Sequence, residues 1–301
     1  MPAIDTIQSY AKINLILQVA PPITDPSDPN CGMHPICSWM HAINIADEIT
    51  IEQSAGTQSA FDIRWSLSKL PVEWEASSDL MVRAHALLES EVGRSLPIKL
   101  TARKNIPAGG GLGGGSSNAA GVFMGLNDLF ELGYDELQLQ AIALKLGSDI
   151  PFFIDFESHR VGIPTKSAVV SGIGNQIHRT PRHSDRITLL IPKFGCSTKE
   201  VYKALDDLGS TRTLDFDSVY EAANTKRIKP WELKNDLAEP AMVAQPELRR
   251  SFELLGYSEV YPLLSGSGST MFVVGRPMSS WVSNFRKVLS DMFTIEVTSL
   301  T

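Results

Sequence analysis

Cysteine is scarce: Cys31, Cys37 and Cys196 are the only three in 301 residues. An odd and widely spaced set fits neither a disulfide framework nor a zinc site. It reads as free thiols of a reducing, cytoplasmic setting. No run of 18 apolar residues is present, so no membrane-spanning helix is expected. Basic charge is in deficit, with 27 Lys and Arg against 34 Asp and Glu for a net charge of −7, which argues against the basic surface of a nucleic-acid binder. The opening residues, Met1 to Thr6, have neither a basic n-region nor an apolar h-region, so no signal peptide is expected there. Internal repeats and low-complexity tracts are missing too. What remains is 43% hydrophobic and 20% charged, the composition of an ordinary soluble globular protein. A length of 301 residues is enough for two domains or one large one.

Along the chain, Ile7 to Val19 reads as a strand, and Pro21 to Asn30, rich in Pro and Asp, as a loop. Trp39 to Ile51 reads as a strand or short helix with a turn at Asp47-Glu48. Ser78 to Val92 has helical spacing, with Leu80, Ala84, Leu87, Leu88 and Val92 on one stripe and Ser78 or Asp79 as cap. Pro97 to Arg103 alternates as a strand. Further helices are expected over Asp135–Leu146, Thr198–Leu208, Pro246–Leu255 and Ser279–Met292. Strands are expected over Arg186–Pro192, at the end of Leu263–Val274 after a Gly/Ser-rich turn, and over Phe293–Val297. Residues 158–186 read as irregular and mark the division into domains 1–165 and 166–301. Irregular alternation of strands and helices makes the fold class α+β.

The most informative segment is Gly109-Gly110-Gly111-Leu112-Gly113-Gly114-Gly115, followed by Ser116-Ser117-Asn118 and an apolar helical pattern through Phe130. Glycine buries no side chain and costs conformational entropy, so six in seven positions serve the backbone. Converging N–H groups ahead of a helix N-terminus make an anion site, and the phosphate chain of a nucleotide fits it. The segment formally matches G-x-G-x-x-G, yet the acidic residue a dinucleotide fold places about 20 positions later on a second strand is missing. No Lys follows the glycines, so the P-loop pattern fails.

Lys104-Asn105-Ile106-Pro107-Ala108, the glycine run and Ser116-Ser117-Asn118-Ala119-Ala120 together closely resemble the second motif of the GHMP kinases. Two more motifs of that family occur in order. Ala11-Lys12-Ile13-Asn14-Leu15 resembles the first, and Leu264-Ser265-Gly266-Ser267-Gly268-Ser269-Thr270 the third. Leu146-Gly147-Ser148-Asp149-Ile150-Pro151-Phe152-Phe153 resembles a further family segment. The long glycine form is similar to one branch, which phosphorylates a cytidine-diphosphate-linked alcohol on the non-mevalonate route to isoprenoid precursors.

The resemblance implies a two-domain fold, an N-terminal ATP-binding domain with the Gly-rich loop and a C-terminal ferredoxin-like α/β sandwich. It implies ATP and Mg²⁺ as cofactors and no nucleic-acid or membrane partner. Lys12, by itself a solvated strand residue, and Asp149, by itself a helix-stop residue, become the catalytic pair. Lys104, Pro107, Gly109, Gly110, Gly111, Leu112, Gly113, Gly114, Gly115, Ser116 and Ser117 become the ATP site, with Ser117 also the Mg²⁺ ligand and Asp79-Leu80 at the adenine end. Asn14, Met33, His34, Thr198, Tyr202, Gly266 and Gly268 become substrate contacts. Met33 stands where the branch has an aromatic that stacks on the cytosine. The remaining readings are a GHMP kinase acting on homoserine or a mevalonate-like acid, and a nucleotide-binding protein without catalysis.

Overall fold

The computed structural model describes residues 3–66, 75–209, 212–256, 262–275 and 293–301. Two long strands come first, β1 (Ala3–Val19) and β2 (Ile36–Gln53). The chain divides into two compact units. One holds residues 1–11, 44–107 and 113–166, and the other 12–43, 108–112 and 167–301. They interleave, so both long strands and the glycine run contribute to each unit, unlike a linear split after residue 165.

In the first unit, the second half of β2 alternates. Ile45, Asp47, Ile49 and Ile51 are buried, while Asn44 and Glu48 are exposed. The turn expected at Asp47-Glu48 is therefore absent: both residues are mid-strand, and Asp47 shares the parity of the isoleucines. Next come β3 (Ala60–Trp65), α1 (Leu80–Val92) and β4 (Ile98–Lys104). β2 pairs antiparallel with β4, from Glu48 opposite Arg103 to Gln53 opposite Ile98. β3 pairs parallel with β4 on its other side. β4 keeps strict period 2, burying Ile98, Leu100, Ala102 and Lys104, so the alternation that forms the strand also turns Lys104 inward.

α1 starts where its cap allows, the Asp79 carboxylate accepting from the Met81 N–H, and stops at Gly93. Its buried stripe is Met81, Ala84, His85 and Leu88, slightly rotated from the expected one. The helix after the glycine run, α2 (Gly114–Leu129), begins two residues before Ser116. α3 (Glu136–Leu144) has a capping box between Asp135 and Gln138. α4 (Ile150–Phe153) and α5 (Phe156–Arg160) are short. α2 packs against α1 and α4.

In the second unit, the first half of β2 pairs antiparallel with β5 (Ala168–Gly172), which pairs with β6 (Gln176–Arg179). The stretch 158–186 is thus more regular than its composition implied, because Ala168-Val169-Val170 is too short to show a period. β7 (Arg186–Pro192), α6 (Thr198–Asp207), α7 (Phe216–Ala223), β8 (Lys234–Asn235), α8 (Ala238–Ala244) and α9 (Pro246–Gly256) follow. Then come β9 (Leu263–Leu264), β10 (Met271–Val274) and β11 (Phe293–Ser299). A four-stranded antiparallel sheet has the order β11-β7-β10-β9, and β7 is buried from Ile187 to Pro192. The helix expected over 279–292 lies outside the described residues.

Candidate active site

Four segments far apart in sequence meet within the second unit. Gly109 O accepts from the N–H groups of Cys196 and Ser269, Gly110 O from Thr270 N–H, Gly111 O from the Ser265 hydroxyl and Leu112 O from Lys12 N–H, at 2.9–3.3 Å. Four successive carbonyls are thereby held by protein. Among the described residues nothing accepts a hydrogen bond from the N–H groups of Gly109, Gly110, Gly111 or Leu112. Gly109 is exposed, but Gly110 and Leu112 are buried and Gly111 is half-buried, and donors in that condition are set up for an acceptor. Gly111 has φ +71°, and a Cβ there would lie 2.1 Å from Ser265 O and 3.0 Å from Gly268 O. Only glycine lets the turn approach the third motif so closely.

Lys12 is buried, 3% exposed, and its ammonium donates to Asn14 Oδ1 at 2.6 Å. Asn14 Nδ2 donates to Ser38 Oγ at 2.8 Å, and Ser38 donates to Ile16 O at 2.8 Å. A Cβ on Gly266 would stand 3.3 Å from Lys12 Nζ, Asn14 Oδ1 and Gly111 O alike. The ammonium, the glycine turn and the Gly266 turn are therefore neighbours. Asn235 braces that last turn, its amide donating to Leu264 O and Gly266 O at 2.8 Å. Asn14 uses both ends of its amide inside the protein, which gives it a bracing geometry beside Lys12.

The remaining expected substrate contacts also gather in the second unit. His34 and Tyr202 rings are 5.1 Å apart, and Thr198 and Ser267 hydroxyls meet at 2.9 Å. His34 Nδ1–H donates to Ala20 O at 2.9 Å, and Nε2 lies 3.2 Å from an Asp206 carboxylate oxygen. Met33 is 40% exposed and so available to a ligand. Cys37 and Cys196 are buried thiols pushed up to about 11 by burial, far from thiolate reactivity.

The first unit holds Lys104, Pro107, Gly113 to Ser117 and Asp149. Gly113 caps α2 with φ +69° and offers no side chain to its N–H groups. The free donors of the first turn and the positive end of the dipole therefore stay open to a ligand. Ser116 is half-buried and Ser117 buried. Asp149 is half-buried, and its carboxylate does not cap α4, although it sits in the N-cap position.

Lys104, 4% exposed, donates to Asn118 Oδ1 at 2.5 Å and lies 4.0 Å from both the Asp47 and Asp79 carboxylates. The Trp65 ring is 5.6 Å from the ammonium. Asp47 accepts from the N–H groups of Asn105 at 2.5 Å and Ile106 at 2.8 Å, and from Asn118 Nδ2 at 2.9 Å. Burial raises the Asp47 pKa from its ordinary value, and the Ile106 N–H, Lys104 and the other donors oppose that rise. Sequence reasoning missed Asp47, Ser38 and the part played by Asn118. The signal for Asp47 was its period-2 phase with Ile45, Ile49 and Ile51. Among the described residues no three His, Cys, Asp or Glu side chains are grouped to hold a metal ion, and no helix is long and apolar enough to cross a membrane.

A family model described as the GHMP kinases N terminal domain matches residues 79–155. A 4-diphosphocytidyl-2-C-methyl-D-erythritol kinase of Sulfurihydrogenibium sp. (strain YO3AOP1) is 32% identical over 91% of this chain and 92% of its own length. The enzyme of the same name from Persephonella marina (strain DSM 14350 / EX-H1) is 30% identical over 90% and 91%. Among solved structures, a 4-(cytidine 5'-diphospho)-2C-methyl-D-erythritol kinase superposes with a TM-score of 0.71 at 24% identity, covering 98% of this chain and 99% of that one. An L. major mevalonate kinase shares the fold at a TM-score of 0.63 and 11% identity, over 99% of this chain and 96% of that one. The chain is a GHMP kinase and belongs to the family of the 4-diphosphocytidyl-2-C-methyl-D-erythritol kinases.

Proposed function

We propose that the chain transfers the terminal phosphoryl group of ATP to the 2-hydroxyl of 4-diphosphocytidyl-2-C-methyl-D-erythritol, in non-mevalonate isoprenoid precursor synthesis. One observation carries the phosphoryl-transfer reading beyond family membership. The glycine turn has four carbonyls held by protein and four successive N–H groups with no acceptor among the described residues. Such a cradle takes a polyanion, and the uncapped start of α2 supplies the same chemistry in the first unit.

In this reading Gly109 to Ser117 hold the phosphates, while Lys104 and Pro107 serve the nucleoside end. Mg²⁺ would bind chiefly through phosphate oxygens with the Ser117 hydroxyl as its protein contact, and it would supply charge neutralisation. The Asp149 carboxylate accepts the proton of the acceptor hydroxyl as the new P–O bond forms and the bond from the γ-phosphorus to the bridging oxygen breaks, releasing ADP. The buried Lys12 ammonium, steered by Asn14, stabilises charge on the transferring group. Met33, His34, Thr198, Tyr202, Gly266 and Gly268 face the cytidine-linked acceptor. The protein works free of membrane and nucleic acid, in the reducing cytoplasm its free thiols fit.

The test is a coupled assay with ATP, Mg²⁺ and a panel of alcohols. kcat/KM should be at least about 100-fold higher for the cytidine-linked alcohol than for homoserine or mevalonate, because a site built for polar partners rejects analogues that lack them. Equal or greater kcat/KM on either acid overturns the acceptor.

A further inference from the structure

We infer that Asp47 is a positioning residue: it sets the direction of a hydrogen-bond relay that runs from the entry of the glycine loop through Asn118 to the Lys104 ammonium, and so fixes Lys104 for the nucleotide. The inference rests on the reading of Lys104 as a nucleotide contact.

A carboxylate can only accept hydrogen bonds, whereas a carboxamide has one accepting and one donating end. Asp47 Oδ1 takes both backbone N–H groups, of Asn105 and Ile106, at 2.5 and 2.8 Å. Oδ2 takes Asn118 Nδ2 at 2.9 Å. With its nitrogen committed to Asp47, Asn118 must turn its oxygen the other way, where it receives Lys104 at 2.5 Å. The polarity of the relay is therefore written by the one member that cannot donate. All three side chains are buried, so solvent does not offer substitute partners. The relay joins three elements: β2 brings Asp47, the end of β4 brings Lys104, and the N-terminal end of α2 brings Asn118. Asn105 adds a second tie, its Nδ2 donating to Ala46 O at 3.0 Å.

Replacing Asp47 by asparagine keeps the shape and an acceptor for the two backbone N–H groups. The new NH₂ then faces Asn118 Nδ2, donor against donor. Asn118 turns over, and its NH₂ now meets the Lys104 ammonium. A purely structural tie between β2 and the loop would survive that exchange with only a stability cost. A directional relay would not. Moving the carboxylate to position 118 in the double variant restores every donor–acceptor match and the same charge: the acid accepts from Lys104 and from the amide at 47, whose oxygen serves the backbone.

The experiment is ATP affinity by titration calorimetry, with thermal midpoints, on the full chain as wild type, Asp47→Asn and the double variant Asp47→Asn/Asn118→Asp. Kd for ATP should rise about tenfold or more in Asp47→Asn and return to within about threefold of wild type in the double variant. An unchanged Kd in Asp47→Asn, or a folded double variant with no recovery, overturns the relay. Asn118→Ala covers the case in which Asp47→Asn does not fold. It leaves the two backbone N–H bonds intact and should also weaken ATP by about tenfold, while an unchanged Kd overturns the inference. A wild-type chain that takes no ATP overturns the relay's purpose together with the nucleotide reading. A chain that binds ATP with the expected Kd shifts but phosphorylates another alcohol supports the relay and overturns only the acceptor.

Discussion

The two units each bury a lysine on an asparagine oxygen, Lys12 on Asn14 at 2.6 Å and Lys104 on Asn118 at 2.5 Å. They differ in what holds the asparagine. Asn14 donates to a hydroxyl, Ser38, which hands the bond on to a backbone carbonyl. Asn118 donates to a buried carboxylate, Asp47, which also holds two backbone N–H groups. A neutral anchor can reorient its hydrogen. An ionised one cannot, and losing it strands more partners. The contrast fits the proposed roles: Lys12 must answer charge that develops during transfer, while Lys104 must stay fixed for a ground-state ligand.

The largest effect expected from breaking this contrast is in the first unit. Asp47→Ala leaves two backbone donors, the Asn118 amide and a nearby ammonium without their carboxylate, and should cost about 3–5 kcal/mol in urea unfolding. A loss below about 1 kcal/mol, the usual size of a surface pair, would remove the distinction between the anchors.

Acid acts next, on a buried histidine of the second unit. In the second unit burial pushes the His41 imidazole down to about 4 from an ordinary 6.5, with His183 and Arg182 adding to the fall and the Ala42 carbonyl opposing it. His41 Nδ1–H donates to Ala42 O, and Nε2 accepts from His183 N–H at 3.0 Å, a pattern that requires the neutral ring. Because the folded pKa is the lower one, the unfolded chain binds the proton first as pH falls. The stability is full above pH 6.5 and is lost on the way to about 4, by up to about 3 kcal/mol. Urea midpoints at pH 7 and pH 4 measure it, and His41→Gln should reduce the difference. An equally steep dependence in that variant would assign the loss elsewhere.

Ser38→Ala removes the neutral anchor and strands one Asn14 donor, for about 1–3 kcal/mol of stability, with kcat falling more than ATP affinity. A change in ATP affinity alone would place Lys12 at the wrong end of the reaction. Smallest is Met33→Tyr, which should lower KM for the cytidine-linked alcohol about threefold to tenfold, the worth of a stacked ring. An unchanged KM speaks against stacking at that position.

Much of this was legible in the sequence where a local rule applied. Strict alternation places Lys104 inward after Ile98, Leu100 and Ala102, and the glycine run announces a backbone site. The same alternation held Asp47, hidden because Asp-Glu reads as a turn by composition. Partners were not legible where they come from distant segments: the carbonyls of Gly109 and Gly110 are held by Cys196, Ser269 and Thr270. The start of α2 was misplaced because Gly114 and Gly115 are poor helix formers by propensity, yet they occupy its first two positions. There, a Cβ on Gly114 would come within 2.9 Å of Ile106 and one on Gly115 within 3.2 Å of Leu80, so close packing selects glycine.

The most direct test of the two-ended account is to replace each lysine by methionine and measure ATP affinity and kcat separately. Lys12→Met should keep Kd for ATP within about threefold and lose kcat by at least about 100-fold, whereas Lys104→Met should raise Kd by about tenfold or more with a smaller loss of kcat. The same division between Kd and kcat in both variants would contradict it.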